Sequence, residues 1–390
     1  MQLFVLGMHR SGTSSVTRLL NMAGAYFGPE GISNGADEGN VKGFWERVDV
    51  RAACDGLLQE SGFDWWKVTD FSLDRIPEPV RERHLHRLKR IVLELDAHRP
   101  WVVKEPRLSL LFPLLRPLLE LPVCIHVARE PLEVAASLET RNGFPAPAGL
   151  ALWERYTIRA FEASAGLPRL LVHYEELMST PVKTFARLVE QLGDLGVFGL
   201  RVPSEREITA YIDPDLHRER RSSRDRRMWM NEQQLSLAAA VDDGTVMDDG
   251  VVPDELSAGA SAQLRAFGED RAQRARAEEL QAEVDRLRPE VDRLQPEVAR
   301  LQDEAKRLHK QIDALEEQAS ATDDRVAGAG DLLDRAEQYI DQICRSRTWR
   351  MAWTAQTIRR RLPLRRVPRA FDPLDRLRTL VARASKVLDE

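Results

Sequence analysis

The sequence predicts an α/β domain with a parallel sheet, followed by an all-α coiled coil and a basic helical tail. Three observations predict it. Short apolar runs alternate with amphipathic stretches over residues 1–227, the pattern of parallel strands covered by helices. Leu280, Leu287, Leu294, Leu301, Leu308 and Leu315 recur every seven residues, with Val284, Val291, Val298, Ala305 and Ile312 four places after the first five. These are the a and d positions of a coiled coil. From Arg345 to the end, twelve Arg and one Lys stand against four acidic residues.

In chain order, Leu3–Leu6 reads as the first strand, and Ser14–Met22 as a helix entered through a glycine-containing turn. Trp101–Val103, Val123–Ala128 and Leu170–Tyr174 read as further short, buried strands, with helical spacing at roughly 79–98, 131–141, 149–165 and 181–193 between them. Asp242, Asp243, Asp248, Asp249, Asp254 and Glu255 lie among small residues without helical period, which makes 228–262 an acidic flexible linker. The coiled coil is placed at 263–320. Pro289 and Pro296 occupy its outer f positions, where each removes a backbone hydrogen bond at a cost of about 3 kcal/mol, so the regular part is expected from near Val298. Residues 321–390 are read as a basic amphipathic helical tail. Its Trp349, Met351, Trp353 and Ile358 interleave with basic charge, which suits peripheral contact with an anionic membrane or packing on an acidic part of the chain.

Composition excludes several classes. The 390 residues are 43% hydrophobic, enough for more than one folding unit. Lys plus Arg is 57 against 62 Asp plus Glu, a net charge of −5, which argues against a nucleic-acid partner. Cys54, Cys124 and Cys344 are odd in number and scattered, neither a disulfide framework nor a zinc site, and place the chain in a reducing cytoplasm. The N-terminus, Met1 to Gly7, has no basic region before its apolar run and does not read as a secretory signal. Leu108–Ala128 is interrupted by three prolines and two charges, so it cannot span a bilayer as one helix.

The chemistry is concentrated in the first 140 residues. The first strand runs into Gly7-Met8-His9-Arg10-Ser11-Gly12-Thr13-Ser14 and then a helix, a turn in which glycines let backbone N–H groups approach an anion at a helix N-terminus. Its glycines have the spacing of a nucleotide-triphosphatase loop, but Thr13 stands where that loop needs Lys, and Arg10 supplies the charge instead. A second anion site is read at Arg129, at a strand end, with Ser137 eight residues later on the next helix. Such a pair can grip one phosphate from two sides. One ligand with two separate phosphoryl-type groups explains both.

These stretches resemble the sulfotransferase family, closest to the bacterial branch whose loop reads G-M-H-R-S-G-T-S. The likeness continues through Asn40-Val41-Lys42-Gly43-Phe44-Trp45-Glu46, Lys104-Glu105-Pro106-Arg107, Val172-His173-Tyr174-Glu175-Glu176-Leu177 and Tyr211-Ile212-Asp213-Pro214, and covers residues 1 to roughly 225. The resemblance implies a P-loop-type, three-layer α/β domain that uses 3′-phosphoadenosine-5′-phosphosulfate (PAPS) as co-substrate and no metal. It implies that Gly7, His9, Arg10, Ser11, Gly12, Thr13 and Ser14 hold the 5′-phosphosulfate, and that Arg129 and Ser137 hold the 3′-phosphate. Many members carry Lys in the loop where this chain has Arg10, which cannot donate a proton; Lys104 is then the ammonium for the bridging oxygen. Cytosolic eukaryotic members place a catalytic His two residues after a comparable Lys, and here that position is Pro106.

Sulfuryl transfer is an in-line displacement governed by positioning and electrostatics, and the acceptor must also lose a proton. The candidate bases are Glu105, Glu46 and, third, His9. The bystander alternative is an ion pair to Lys104 or Arg107 for Glu105, and to Arg47 for Glu46. Trp45, Trp65 and Trp66 are candidates to line an acceptor site or to serve as core, and the run from Arg218 to Arg227 to close over the nucleotide or to remain solvated. Ser346-Arg347-Thr348-Trp349-Arg350 is similar to a segment that follows coiled coils in bacterial glycan-assembly glycosyltransferases. That implies an acceptor on a surface glycan or its precursor, near the inner membrane face. The coiled coil implies a homo-oligomer. The competing readings are a P-loop kinase or NTPase and a non-catalytic coiled-coil scaffold.

Overall fold

All four strands expected from the sequence form a single parallel sheet, in the order β2-β1-β3-β4. The structure is a computed structural model that describes residues 1–33, 35, 43–213, 225–319, 326–346 and 351. The strands are β1 (Gln2–Leu6), β2 (Trp101–Lys104), β3 (Pro122–Ala128) and β4 (Arg169–His173). The helices up to the end of the sheet region are α1 (Thr13–Met22), α2 (Val48–Gln59), α3 (Glu78–Asp96), α4 (Leu108–Leu115), α5 (Pro131–Asn142), α6 (Ala146–Ala163), α7 (Tyr174–Ser179) and α8 (Pro181–Asp194). Beyond them lie α9 (Glu205–Tyr211), α10 (Arg226–Trp229), α11 (Glu232–Asp243), α12 (Ala258–Ala319) and α13 (Val326–Arg345).

Alternation along each strand divides the core in two. Phe4, Leu6, Trp101, Val103 and Cys124 face one side, where they cluster with Leu57 of α2, Leu88 of α3, Leu111 of α4, Leu138 of α5 and Tyr156 of α6. Leu3, Val5, Val102, Ile125 and Val127 face the other, against Leu19 of α1, Leu177 of α7 and Leu188 of α8. The result is three layers. In the register, Val5 pairs with Lys104, Leu6 with His126, and Ala128 with His173, so the C-terminal ends of all four strands meet at one edge, where open parallel sheets bind their ligands. Cys54 and Cys124 are buried free thiols on the first face.

The segment 228–262, expected as an acidic flexible linker, is not one. An Asn231 side chain caps α11 by accepting from Gln234 N–H, Gln234 reciprocates, and Gly244 ends the helix at φ 81°. Leu237, Ala238, Val241 and Val246, then Ala260, Leu264 and Phe267 of α12, join the first core. The acidic residues sit on the outside of a packed segment, and the first compact unit therefore extends from Met1 to Arg271.

In the second unit, Ala272–Glu390, the heptad positions of α12 from Leu280 to Leu315 are half-buried, Leu294 is buried, and most of the positions between them are exposed. The helix runs through Pro289 and Pro296 without a break, contrary to the expected loss of regularity. Both prolines are exposed on the outer side, where opening the hydrogen-bond ladder bends a helix away from solvent and leaves the apolar stripe intact. Leu333, Ala336 and Ile340 of α13 are buried, and the Tyr339 hydroxyl donates to Glu304 Oε2 at 3.3 Å. Cys344, half-buried, lies near the end of α13. Most of the basic tail, Trp349 and Trp353 included, lies outside the described residues. Among the described residues, no helix is long and apolar enough to cross a membrane.

Leu237→Ala should cost about 2–5 kcal/mol of stability, the range for a buried leucine, in urea unfolding followed by circular dichroism. A cost near zero would return 228–262 to the status of a linker.

Candidate active site

The loop after β1 is shaped by close approach. Gly7 has φ 150°, and a Cβ there would stand 2.7 Å from the Val127 carbonyl oxygen of β3. Its N–H also donates to Ser109 Oγ of α4 at 3.3 Å. Gly12 precedes α1 at φ 85°, and a Cβ there would fall 2.1 Å from the Tyr174 ring. Between them Arg10 holds φ 71°, a region that a non-glycine residue occupies at a cost and that recurs at functional sites. In the first turn of α1 the Ser15 N–H is taken up by the Gly12 carbonyl at 3.0 Å, while N–H groups before it have no acceptor within a helix. Loop and helix end thus form a cradle that a side chain at either glycine would fill, which fits a phosphate-like anion.

The two anion sites expected from the sequence lie side by side. Arg10 Nε donates to Ser137 Oγ of α5 at 3.0 Å. Arg129, at the end of β3, donates from Nη1 to the Arg10 carbonyl oxygen at 3.0 Å and from Nε to Glu133 Oε2 at 3.0 Å, and its guanidinium lies 4.8 Å from the centre of the Tyr174 ring. Arg10, Arg129 and Ser137 are therefore one constellation.

Across the loop, Lys104 at the end of β2 donates from Nζ to Glu46 Oε1 at 2.7 Å, both side chains being buried. Burial alone would raise the Glu46 carboxyl, but the charge and hydrogen bond of Lys104, with Arg107 and Arg51, hold it below its ordinary value. Glu105 is fully buried: its Oε1 accepts from Arg107 N–H at 3.1 Å and from Arg107 Nη1 at 2.7 Å, and Oε2 is buried without a hydrogen-bond partner. Burial pushes the Glu105 carboxyl up, against the pull of Arg107 and with the help of Glu46. Arg107 Nε lies 2.7 Å from Asp55 Oδ1 of α2. The His9 ring lies 4.6 Å from the Trp65 ring at a tilt of 47° and edge-on at 5.5 Å to Tyr156, with Nε2 buried and unpartnered. Burial, then the charges of Arg107, Lys104, Arg10 and Arg51, hold its imidazole well below the usual range, so it is neutral at pH 7.

Several neighbours differ from their expected places. Glu105 pairs with Arg107, one of the two bystander partners considered. Glu46 pairs with Lys104 and not with Arg47, whose guanidinium is buried against Asp49 and Glu94. The three tryptophans separate: Trp65 and Trp66 pack on the first core, and Trp45 on the second beneath Arg18. Of the basic run, Arg226 is engaged by Glu130 and Asp242, and Arg218, Arg220, Arg221 and Arg224 lie outside the described residues. Ser109, Tyr174 and Arg51 were not among the candidates. Ser109 stands one residue into the helix that follows the Lys104 motif, the one signal that could have found it. Among the described residues, no group of three or more His, Cys, Asp or Glu could hold a metal ion.

The parallel sheet thus gathers the loop, the strand-end arginine and the buried Lys–Glu pair at one edge. A sequence model of the sulfotransferase family matches residues 2–194, and this part of the chain belongs to that family. Solved structures similar to the chain include the sulfotransferase domain of the Synechococcus PCC 7002 olefin synthase, at 16% identity over 69% of this chain and 94% of that one, TM-score 0.34. The sulfotransferase STF1 of Mycobacterium tuberculosis H37Rv is similar at 16% identity over 54% and 76%, TM-score 0.31. The sulfotransferase domain of the curacin biosynthetic pathway is similar at 14% identity over 68% and 96%, TM-score 0.31. A comparison with curated proteins found none that matches.

A carboxyl held lower in the folded than in the unfolded chain adds stability above the unfolded value, about 4.3, and this is lost as pH falls through the folded value. Glu46→Gln should therefore destabilise the protein by about 3–5 kcal/mol at pH 7, the usual cost of breaking a buried pair. The deficit should shrink below about pH 4.3. Urea unfolding between pH 7 and 3 measures both; a deficit that is constant with pH would mean that Glu46 is not ionised in the fold.

Proposed function

We propose that the chain transfers a sulfuryl group from PAPS to a hydroxyl or amine acceptor. The observation that carries the reading is the joining of Arg10, Arg129 and Ser137 around the phosphate-type loop, with the Lys104–Glu46 pair at the end of the neighbouring strand. Gly7 to Ser14 cradle the 5′-phosphosulfate, and Arg129 and Ser137 take the 3′-phosphate, for which Ser137 exchanges its bond to Arg10. The acceptor oxygen or nitrogen forms a bond to sulfur as the bond from sulfur to the 5′-phosphate oxygen breaks, leaving 3′,5′-diphosphoadenosine.

Glu46 is assigned as the base. Glu105 is sealed beneath Arg107, and His9 is surrounded by cations that disfavour its protonation. Glu46 is a weak base while Lys104 holds it, but its counter-charge is withdrawn as the ammonium turns to the departing phosphate oxygen. Its proton affinity then rises as the acceptor releases its proton. Arg10 stabilises charge on the equatorial oxygens without exchanging a proton. A surface glycan remains the acceptor class in this reading; the segment that supports it, Ser346 to Arg350, lies mostly outside the described residues. Oligomerisation through the heptad stripe of α12, within residues 263–320, belongs to the same proposal.

Calorimetric titration should show 3′,5′-diphosphoadenosine binding without metal while ATP–magnesium does not bind. Binding of ATP–magnesium alone would replace this reading with an NTPase. Arg129→Ala should weaken the diphosphate by about 2–5 kcal/mol, since it leaves a desolvated phosphate unpaired. Glu46→Gln should keep nucleotide affinity within a few-fold and lose most turnover, the pattern of a group that acts in the transition state. Retained turnover in that variant would move the base to Glu105 or His9.

A further inference from the structure

Beside the constellation just described, and away from Lys104 and Glu46, a cavity of about 190 Å³ opens between the ends of β3 and β4 and helices α10 and α11. Five charged side chains line it: Arg129, Glu130, Glu175, Arg226 and Asp242. Three of the five are acidic, a poor setting for a phosphate dianion unless the acids are occupied. Glu133, on the other side of Arg129, adds a fourth carboxylate, already in contact with that guanidinium.

Arg226 occupies two of the acids at once. Its Nε donates to Glu130 Oε1 at 3.0 Å and to Oε2 at 3.1 Å, and Nη2 donates to Oε2 at 2.8 Å. Nη2 also reaches Asp242 Oδ1 at 3.1 Å, and Nη1 reaches Oδ2. The Arg226 and Glu130 side chains are 11% and 8% exposed, so solvent screens the pair weakly. Glu130 is fixed on its backbone side as well: its N–H donates to Glu175 Oε1 at 2.8 Å, and its carboxylate caps α5, the helix that carries Ser137. Freed from Arg226, the Glu130 charge would stand one residue from Arg129, at the mouth of the same cavity.

We propose that Arg226 is a positioning residue for the phosphate end of the nucleotide site, which clamps and neutralises Glu130 so that this carboxylate does not compete with the ligand's phosphate for Arg129. The clamp is delivered by a segment beyond the family match, which ends at residue 194. The inference rests on the reading of Arg129 and Ser137 as the 3′-phosphate site.

The test is calorimetry on the full-length protein with 3′,5′-diphosphoadenosine and with adenosine 5′-monophosphate, which lacks the 3′-phosphate. Arg226→Gln should weaken the diphosphate at least tenfold and the monophosphate by less than threefold. Arg226→Gln combined with Glu130→Gln should recover most of the loss, because the unpaired carboxylate is gone. Glu130→Gln alone should bind the diphosphate as well as the wild type or better, an arm that stands if Arg226→Gln does not fold. Unchanged affinity in Arg226→Gln, equal losses for both nucleotides, no recovery in the double variant, or a tenfold loss in Glu130→Gln would each overturn the assignment while leaving the donor reading in place. Failure of the wild type to bind the diphosphate would overturn the donor reading, and this inference with it.

Discussion

The closeness of β1 to β3 at their C-terminal ends is the constraint from which the site follows. The pairing of Leu6 with His126 brings the residue after β1 against the Val127 carbonyl, where the space left admits no side chain. With a glycine there, the chain can leave the strand, Arg10 can take its left-handed conformation, and α1 can start at Thr13 directly after the turn. The same strand end that crowds Gly7 carries Arg129 two residues later. Its guanidinium reaches the carbonyl of Arg10, so the strand that shapes the loop also braces it.

Charge is arranged in this site by neighbourhood more than by count. Lys104, Arg107 and Arg129 each hold a carboxylate within 3.0 Å. Buried pairs of this kind add little net stability, because desolvation offsets most of the attraction. Their effect is to hold each side chain in one rotamer and to set its proton affinity. Glu46 and Glu105 show how sharply that depends on place. Both are buried carboxyls under the influence of Arg107, yet one is held down by a direct ammonium partner and the other is pushed up by complete enclosure.

Much of this was legible in the sequence, and the misses have physical causes. The four strands stood out because a doubly covered parallel strand is apolar on both faces. The loop stood out because two glycines at fixed spacing beside an arginine have few other uses. The partner of Glu46 was not legible, since Lys104 lies 58 residues away and only the fold brings them together. In the packed segment after residue 230, the acidic residues mask the signals of order: Asn231 and Gln234 at capping-box spacing, Leu237 and Val241 one turn apart, and Gly244 at a helix end. Pro113 inside α4 hid that helix in the same way. The heptads announced the stripe on α12, while the contact of Tyr339 with Glu304 joins residues 35 apart, which a seven-residue period does not encode.

The placing of the three cysteines has a practical corollary. Burial pushes the Cys124 thiol up to about 12 and the Cys54 thiol well above its ordinary value, and both lie in the core behind the sheet. Neither offers a thiolate to an electrophile while the first unit is folded. Cys344, half-buried on α13, is left as the one accessible sulfhydryl in the native chain. A maleimide fluorophore or spin label would attach there without any cysteine being removed, and would report on α13 while the first unit stays unmodified.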